Sequence, residues 1–199
     1  MKQLSPYIWT WSVFNEEKKM NFNGWYIQCD GETVVIDPPE PDDHVFQLIQ
    51  VRGAPDAVLL TNKHHTRFAE AFREAYDCPI WVHEYDEQLM ETPVDRTFQD
   101  NDILSCGLRV VNLHHGKTNG ESGFYLEKER STMILGDAVI GHPTGFLSML
   151  PPEKFEDPAM AKVGLNRLLE YDFDMLLLGD GDSILTNAHQ TLKNFLSDA

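Results

Sequence analysis

Two histidines, an asparagine and an arginine occur together in the segment 61–67, which reads Thr-Asn-Lys-His-His-Thr-Arg. The apolar run at 57–60 predicts a buried strand before this segment, and the apolar spacing after it predicts a helix. The segment therefore lies on a turn from a strand to a helix, where side chains converge on one spot. Imidazole, amide and guanidinium groups at such a point can take part in metal binding, anion binding or buried hydrogen bonds.

Further polar residues follow predicted strands in the same way. Asp37 ends a β-branched run, and Lys117 lies in the segment 116–122, which reads Gly-Lys-Thr-Asn-Gly-Glu-Ser. Asp137 and Asp180 each follow an apolar run and a glycine. A lone aspartate at a strand end is a weak signal, since it is equally typical of a turn. Several such strand ends in this order form a much stronger pattern.

The pattern resembles the metallo-β-lactamase superfamily, from about Trp25 to the end of the chain. Segment 61–67 resembles the family motif Thr-His-x-His-x-Asp-His, and segment 116–122 resembles Gly-His-Thr-Pro-Gly-x-Ser. Leu-Gly-Asp at Asp137 resembles Thr-Gly-Asp, and Gly-Asp-Gly at Asp180 resembles Gly-His-Gly. The resemblance implies the α/β (α+β) class and a four-layer αββα sandwich, with the site at the sheet edge where the loops meet.

The resemblance also implies seven metal-ligand positions, of which this chain keeps His64 and Asp137. The other five positions hold Asn62, Thr66, Arg67, Lys117 and Asp180. Charged lysine and arginine side chains have no acceptor lone pair for a cation, and a catalytic zinc takes about three protein ligands. We therefore expect no metal or other cofactor. The fallback is zinc or another divalent ion on His64, Asp137 and Asp180, with His65 as a further candidate.

The replaced positions balance in charge. If they converge as in the family, Arg67 and Lys117 face Asp137 and Asp180 and compensate carboxylates that would be costly to bury alone. Hydrogen bonds from Asn62, His64 and Thr66 complete the group, and His142 borders the cleft. The resemblance therefore predicts a non-catalytic Lys/Arg/Asp salt-bridge cluster, which is either a structural plug or a pocket for a small anionic ligand.

The alternative is a hydrolase of this superfamily with a reduced site, either mononuclear or metal-free. The catalytic candidates are then Lys117, Asp137 and His64. Lys117 serves as a general base if burial favours its neutral form. The sequence leaves open whether the chain is an enzyme, what it binds and how many copies assemble.

The formal net charge of −16 argues against nucleic acid and anionic membrane surfaces as partners. No window has the apolar length of a membrane helix, and the N-terminus lacks the apolar core of a signal peptide. Three scattered cysteines, with no Cys-x-x-Cys spacing, are typical of reduced thiols. We therefore expect a soluble cytoplasmic protein.

The local patterns predict a β-rich half and a second β-rich half, each with helices, in one domain over residues 1–199. The predicted strands are 7–12, 24–28, 33–36, 57–60, 79–82, 103–104, 108–113, 123–126, 132–135 and 175–178. Helices are predicted after Asp42, after Arg67, after the Asp157-Pro158 pair and around Ala188.

Overall fold

A computed structural model describes residues 1–198, which form two β-sheets and five α-helices. The first sheet consists of β1 (Lys2–Gln3), β2 (Ile8–Asn15), β3 (Met20–Cys29), β4 (Glu32–Ile36), β5 (Ala57–Leu59), β6 (Ile80–His83) and β7 (Arg96–Phe98). The second consists of β8 (Arg109–Asn112), β9 (Ser122–Leu126), β10 (Thr132–Leu135) and β11 (Met175–Leu178). The helices are α1 (Asp43–Arg52), α2 (Ala69–Tyr76), α3 (Glu84–Glu87), α4 (Pro158–Leu165) and α5 (Ala188–Asp198).

Both sheets are mixed. The first runs in chain order, with antiparallel pairs from β1 to β4 and parallel pairs from β4 to β7. The second has the order β11-β10-β9-β8, and only β10 and β11 are parallel. Because parallel strands end at the same edge of a sheet, the residues that follow β4 and β5 lie side by side, as do those that follow β10 and β11.

A shared core lies between the sheets, where Trp25 and Ile36 of the first sheet pack with Phe124 and Leu177 of the second, all fully buried. The outer face of the first sheet is covered by α1 and α2, which contribute Phe72 among others. The outer face of the second sheet packs against α4 and α5. The predicted αββα sandwich is confirmed, since each sheet buries both of its faces.

Several local predictions are also confirmed. Asp42 caps α1 by accepting a hydrogen bond from Val45 N at 2.8 Å, and Asp157 caps α4 by accepting from Ala159 N at 3.0 Å. Asp30, the first residue of the predicted β3–β4 turn, has a positive φ of 57°. Local side-chain chemistry was therefore enough to locate these boundaries.

Other predictions need correction. Residues 103–104 do not form a strand; Ile103 makes one isolated bridge to Arg109 and is 57% exposed. The strand β7 and the short helix α3 had no periodic apolar signal, because each is only one turn or a few residues long. Within residues 1–198, no helix combines the length and apolar character needed to cross a bilayer.

Candidate functional site

Asp37 supports the turn that follows β5. Its Oδ1 accepts a hydrogen bond from Thr61 N at 2.9 Å, and its Oδ2 accepts from Thr61 Oγ1 at 2.6 Å. The same Oδ2 lies 2.8 Å from His65 Nδ1. Asp37 is fully buried, so these donors compensate the cost of removing its carboxylate from water. The end of β4 thereby fixes both the turn and the imidazole ring that projects from it.

His65 is buried, with Nδ1 2.8 Å from Asp37 Oδ2 and Nε2 3.5 Å from Asp137 Oδ1. Burial, the largest influence, and the charge of Arg67 both lower the pKa of His65. The carboxylates of Asp37 and Asp137 outweigh them and raise this pKa to about 10. His65 is therefore an imidazolium at neutral pH. The lack of a side chain at Gly179 leaves room for this ring, since a Cβ at that position would lie 2.8 Å from His65 Cε1.

Asp137 follows β10 and is the acceptor on which several donors converge. Lys117 Nζ donates to Oδ2 at 2.6 Å, and Asn62 Nδ2 donates to Oδ1 at 2.9 Å. Burial by itself would raise the pKa of this carboxyl, but the charges of His65 and Lys117 hold it well below its usual range. Asp137 is therefore ionised, and protein donors surround it.

Arg67 and Asp180 form a second ion pair, with Nη2 and Oδ1 2.6 Å apart. Arg67 also donates to the Asn23 carbonyl at 3.0 Å, and its guanidinium lies 4.5 Å from the centre of the Phe22 ring. Burial raises the pKa of Asp180 more than the charges of His65 and Arg67 lower it. A contact of 2.6 Å to a guanidinium nevertheless indicates an ionised carboxylate at neutral pH.

Asn62 links this centre to Glu121, because its Nδ2 also donates to Glu121 Oε1 at 3.0 Å. Glu121 is fully buried; burial and the charge of Asp137 raise its pKa well above the usual range. Both influences favour the protonated form of Glu121. Its Oε2 is a buried atom for which the described residues supply no hydrogen-bond partner.

The four charged residues expected to converge do meet. Lys117 pairs with Asp137, and Arg67 pairs with Asp180. One carboxylate oxygen from each aspartate and a ring nitrogen of His65 lie within 4.8 Å of one another. The pairing is selective, since the contacts of Lys117 go to Asp137 and those of Arg67 go to Asp180.

The structure places His65, not His64, beside the two aspartates, which corrects the fallback ligand set. His64 donates its backbone N–H to Asn62 Oδ1 at 2.8 Å, and its side chain is exposed. Burial first, and then the charge of Lys117, lower the pKa of His64, so its ring is neutral at neutral pH. The turn geometry set by Asn62 directs one histidine inward and its neighbour outward.

Thr66 and His142 are peripheral to the charged group. The Thr66 carbonyl accepts a hydrogen bond from Ala69 N at 2.7 Å, which closes the turn into α2. The His142 carbonyl accepts from Ser148 Oγ at 2.9 Å, and the half-buried ring lies one residue beyond Gly141, whose N–H bonds the Asp180 carbonyl at 3.0 Å. Both residues therefore bond to neighbouring loop and backbone atoms.

Asp86 was missed by sequence reasoning. It is fully buried and accepts hydrogen bonds from Lys63 N at 2.9 Å, Thr118 Oγ1 at 2.7 Å and Gly120 N at 3.1 Å. It thus joins the turn after β5 to the loop that carries Lys117. No sequence signal pointed to it, because it lies in a short acidic run that is typical of a solvated surface.

The family model described as the metallo-beta-lactamase superfamily matches residues 1–198. The chain belongs to this superfamily. A hydroxyacylglutathione hydrolase from Photorhabdus laumondii is 24% identical, over 85% of this chain and 67% of the relative.

Solved structures, two of them named as metallo-beta-lactamases, superpose over 88% to 98% of the chain. The DIM-1 metallo-beta-lactamase has a TM-score of 0.77 at 14% identity and covers 98% of this chain and 96% of its own. A metallo-beta-lactamase from Pontibacter korlensis has the same TM-score at 16% identity and the same coverages. TTHA1623, solved in a di-iron-bound form, has a TM-score of 0.68 at 24% identity and covers 88% of this chain and 94% of its own. At these identities the likeness shows the fold alone.

His65, Asp137 and Asp180 form a group that could hold a divalent metal ion, and in this structure the same aspartates pair with cationic side chains. Asp137 and Asp180 each lie 2.6 Å from a cationic group, and the pKa of His65 is raised to about 10, so a metal ion would have to displace a proton from this ring. An imidazolium has no lone pair for a metal, and neither lysine nor arginine offers an acceptor. The arrangement is suited to holding opposite charges together in a largely buried place.

Proposed function

We propose that this chain is a metallo-β-lactamase-fold protein in which an ionic network takes the place of the metal centre. We further propose that it binds a small anionic ligand at Lys117 and does not act as a metallohydrolase. One observation carries this proposal: Lys117 Nζ lies 2.6 Å from Asp137 Oδ2 while 19% of its side chain stays exposed. Lys117 is therefore bound to the network while part of its side chain remains in contact with solvent.

The charges of the network balance without a metal ion. Its carboxylates are Asp37, Asp137 and Asp180, and its cations are His65, Arg67 and Lys117. Glu121 lies beside the network, and burial and the charge of Asp137 raise its pKa, which favours its uncharged form. Two unit charges ~4 Å apart interact by about 4 kcal/mol at an effective dielectric of ~20, and a divalent ion doubles each such energy. A metal ion among three cations would therefore meet strong repulsion unless those side chains moved.

Positively charged side chains lie near His64 despite the acidic composition of the chain. The ammonium groups of Lys117 and Lys63 both lower the pKa of His64, although burial is the larger cause. Lys117 has N–H donors beyond the one given to Asp137, and the exposed imidazole of His64 can donate a further hydrogen bond. A carboxylate or phosphate group is the ligand chemistry that such donors recognise.

Two measurements on the full chain test this proposal. Elemental analysis, after purification without chelator and again after incubation with zinc and desalting, should give well under one metal ion per chain. Calorimetric titration with inorganic phosphate should show binding that Lys117→Gln weakens at least tenfold. The matched control is Lys19→Gln, a mostly exposed lysine paired with Glu16, which should bind phosphate as the unchanged chain does. About one tightly held metal ion per chain, or equal phosphate binding by Lys117→Gln, would refute the proposal.

A mononuclear hydrolase is the second candidate, and one observation favours it. Ligand atoms of His65, Asp137 and Asp180 lie within 4.8 Å, and His65 is held through Nδ1 by Asp37, as metal-binding histidines are commonly held by an outer carboxylate. This candidate requires that Lys117 and Arg67 leave the aspartates and that His65 lose a proton.

The hydrolase candidate has its own test, suggested by the name of the hydroxyacylglutathione hydrolase relative. Hydrolysis of a hydroxyacylglutathione thioester would be followed with and without added zinc or iron. Metal-dependent turnover that is lost in His65→Asn and retained in the exposed control His44→Asn would favour the hydrolase. We expect no turnover above that of the buffer in any of these samples.

A further inference from the structure

Two of the three cysteines lie against each other in the core. Cys29 ends β3, and Cys106 lies in the short 3-10 turn Ser105–Gly107 before β8; both side chains are buried. Cys29 Sγ donates to the Cys106 carbonyl at 3.6 Å, and Cys106 Sγ lies 3.7 Å from the Cys29 carbonyl. The two cysteines therefore pack against each other although they are far apart in sequence.

We propose that Cys29 and Cys106 are a redox modification site and form an intramolecular disulfide bond. The crosslink would tie the end of β3, in the first sheet, to the turn that leads into the second sheet. It would be independent of the ionic network, because the contacts of both cysteines are with Ile27, Glu32 and each other. Closing a loop of this length restricts the unfolded chain, which is the usual source of stabilisation by a disulfide.

In this proposal, the turn that carries Cys106 is the segment that opens to admit the oxidant. Cys106 has a positive φ of 63°, a conformation that residues other than glycine adopt at a cost, and Gly107 beside it is exposed. Burial raises the pKa of both thiols, so neither is a reactive thiolate while the turn is closed. Oxidation should therefore follow the opening of residues 105–107, and its rate should follow that opening.

The chemistry is a thiol–disulfide exchange with a small-molecule disulfide such as oxidised glutathione. The Cys106 thiolate attacks one sulfur of the oxidant, which forms a mixed disulfide and releases one glutathione thiolate. The Cys29 thiolate then attacks the Cys106 sulfur, which forms the Cys29–Cys106 bond and releases the second glutathione. The two cysteines lose two protons and two electrons, and the oxidant gains both electrons and becomes two thiols.

The third cysteine supplies an internal control. Cys78 is also buried, but its Sγ donates to the Phe72 carbonyl at 3.6 Å on the outer face of the first sheet. The full chain would be equilibrated with oxidised glutathione, both in the folded state and during refolding from denaturant, and then unfolded and alkylated. Free thiols should fall from three to one per chain, and peptide mapping should recover a Cys29–Cys106 crosslink with Cys78 alkylated.

Matched variants make the result decisive. Cys78→Ser should go from two free thiols to none, whereas Cys29→Ser and Cys106→Ser should keep both of theirs. Refolding in the oxidant removes any barrier from burial, so three free thiols after that step would overturn the proposal. Recovery of a disulfide that includes Cys78, or of mixed disulfides with glutathione alone, would overturn it as well.

Discussion

Lys117 Nζ and Asp137 Oδ2 lie 2.6 Å apart, and this contact joins the loop between β8 and β9 to the end of β10. Asp137 in turn faces His65 and accepts from Asn62, both of which belong to the turn after β5. One carboxylate therefore holds loops from both sheets together. The network at the edge of the sandwich is as much a structural joint as a candidate binding site.

Removing the cation from this contact should destabilise the fold. Lys117→Met should lower the free energy of unfolding by about 2–4 kcal/mol, between the values for exposed and fully buried ion pairs, because Asp137 stays buried and loses its partner. Chemical denaturation measures this change. Combining Lys117→Met with Asp137→Asn should recover part of the loss, whereas combining it with Asp95→Asn, whose partner is Arg73, should be additive. Additivity in both pairs would mean that Lys117 and Asp137 do not interact.

Stability should fall as the pH rises above neutrality, and His65 should be a principal cause. Its pKa is raised from 6.5 to about 10 in the folded state, so its contribution is full below about pH 6.5 and is lost as the pH rises through about 10. A tenfold change in proton affinity corresponds to about 1.4 kcal/mol, which sets an upper limit of roughly 5 kcal/mol for this loss. Denaturation of His65→Gln across that range should show a shallower decline.

The control for the pH experiment is His44→Gln, an exposed histidine on α1. It should show the same pH dependence as the unchanged chain. An equal decline in His65→Gln and the unchanged chain would mean that His65 is not protonated in the folded protein. The contribution of Asp137 to the free energy of unfolding has the opposite pH dependence. Its depressed pKa adds stability above about pH 4, and this stability is lost as the pH falls.

Asp86 should hold the two site loops in register. Asp86→Ala leaves the N–H groups of Lys63 and Gly120 and the hydroxyl of Thr118 without their acceptor, and each unsatisfied buried donor costs about 1–3 kcal/mol. Hydrogen exchange should show faster exchange at the Lys63 and Gly120 amides than in Asp95→Ala, which removes a more exposed carboxylate. Unchanged protection of these amides in Asp86→Ala would contradict this role.

Restoring the family's ligand types should restore metal binding. The variant Asn62→His, Thr66→Asp, Arg67→His and Lys117→His removes both cations and supplies imidazole and carboxylate donors at the positions that the superfamily uses. Zinc titration should show at least a hundredfold gain in affinity over the unchanged chain. A triple variant that keeps Lys117 is the control and should gain less. No gain in the complete variant would mean that the loops no longer place these positions as the superfamily does.

The sequence by itself determined the elements and the order of the polar strand ends. Apolar runs, capping aspartates and glycine turns act over a few residues, so the caps at Asp42 and Asp157 and most strands were predictable from local patterns. The family motifs added the αββα sandwich and the meeting of Arg67, Lys117, Asp137 and Asp180. Strands without apolar period, such as β7, were beyond this reasoning.

Tertiary structure decided which side chain does what within the site. Whether His64 or His65 points inward depends on the backbone turn fixed by Asp37 and Asn62, which no spacing rule encodes. The pairing of Lys117 with Asp137, the raised pKa of Glu121 and the contact of Cys29 with Cys106 likewise depend on distances between residues far apart in the chain. Electrostatic energies and burial are properties of three-dimensional surroundings, and they become defined only when the two sheets close on each other.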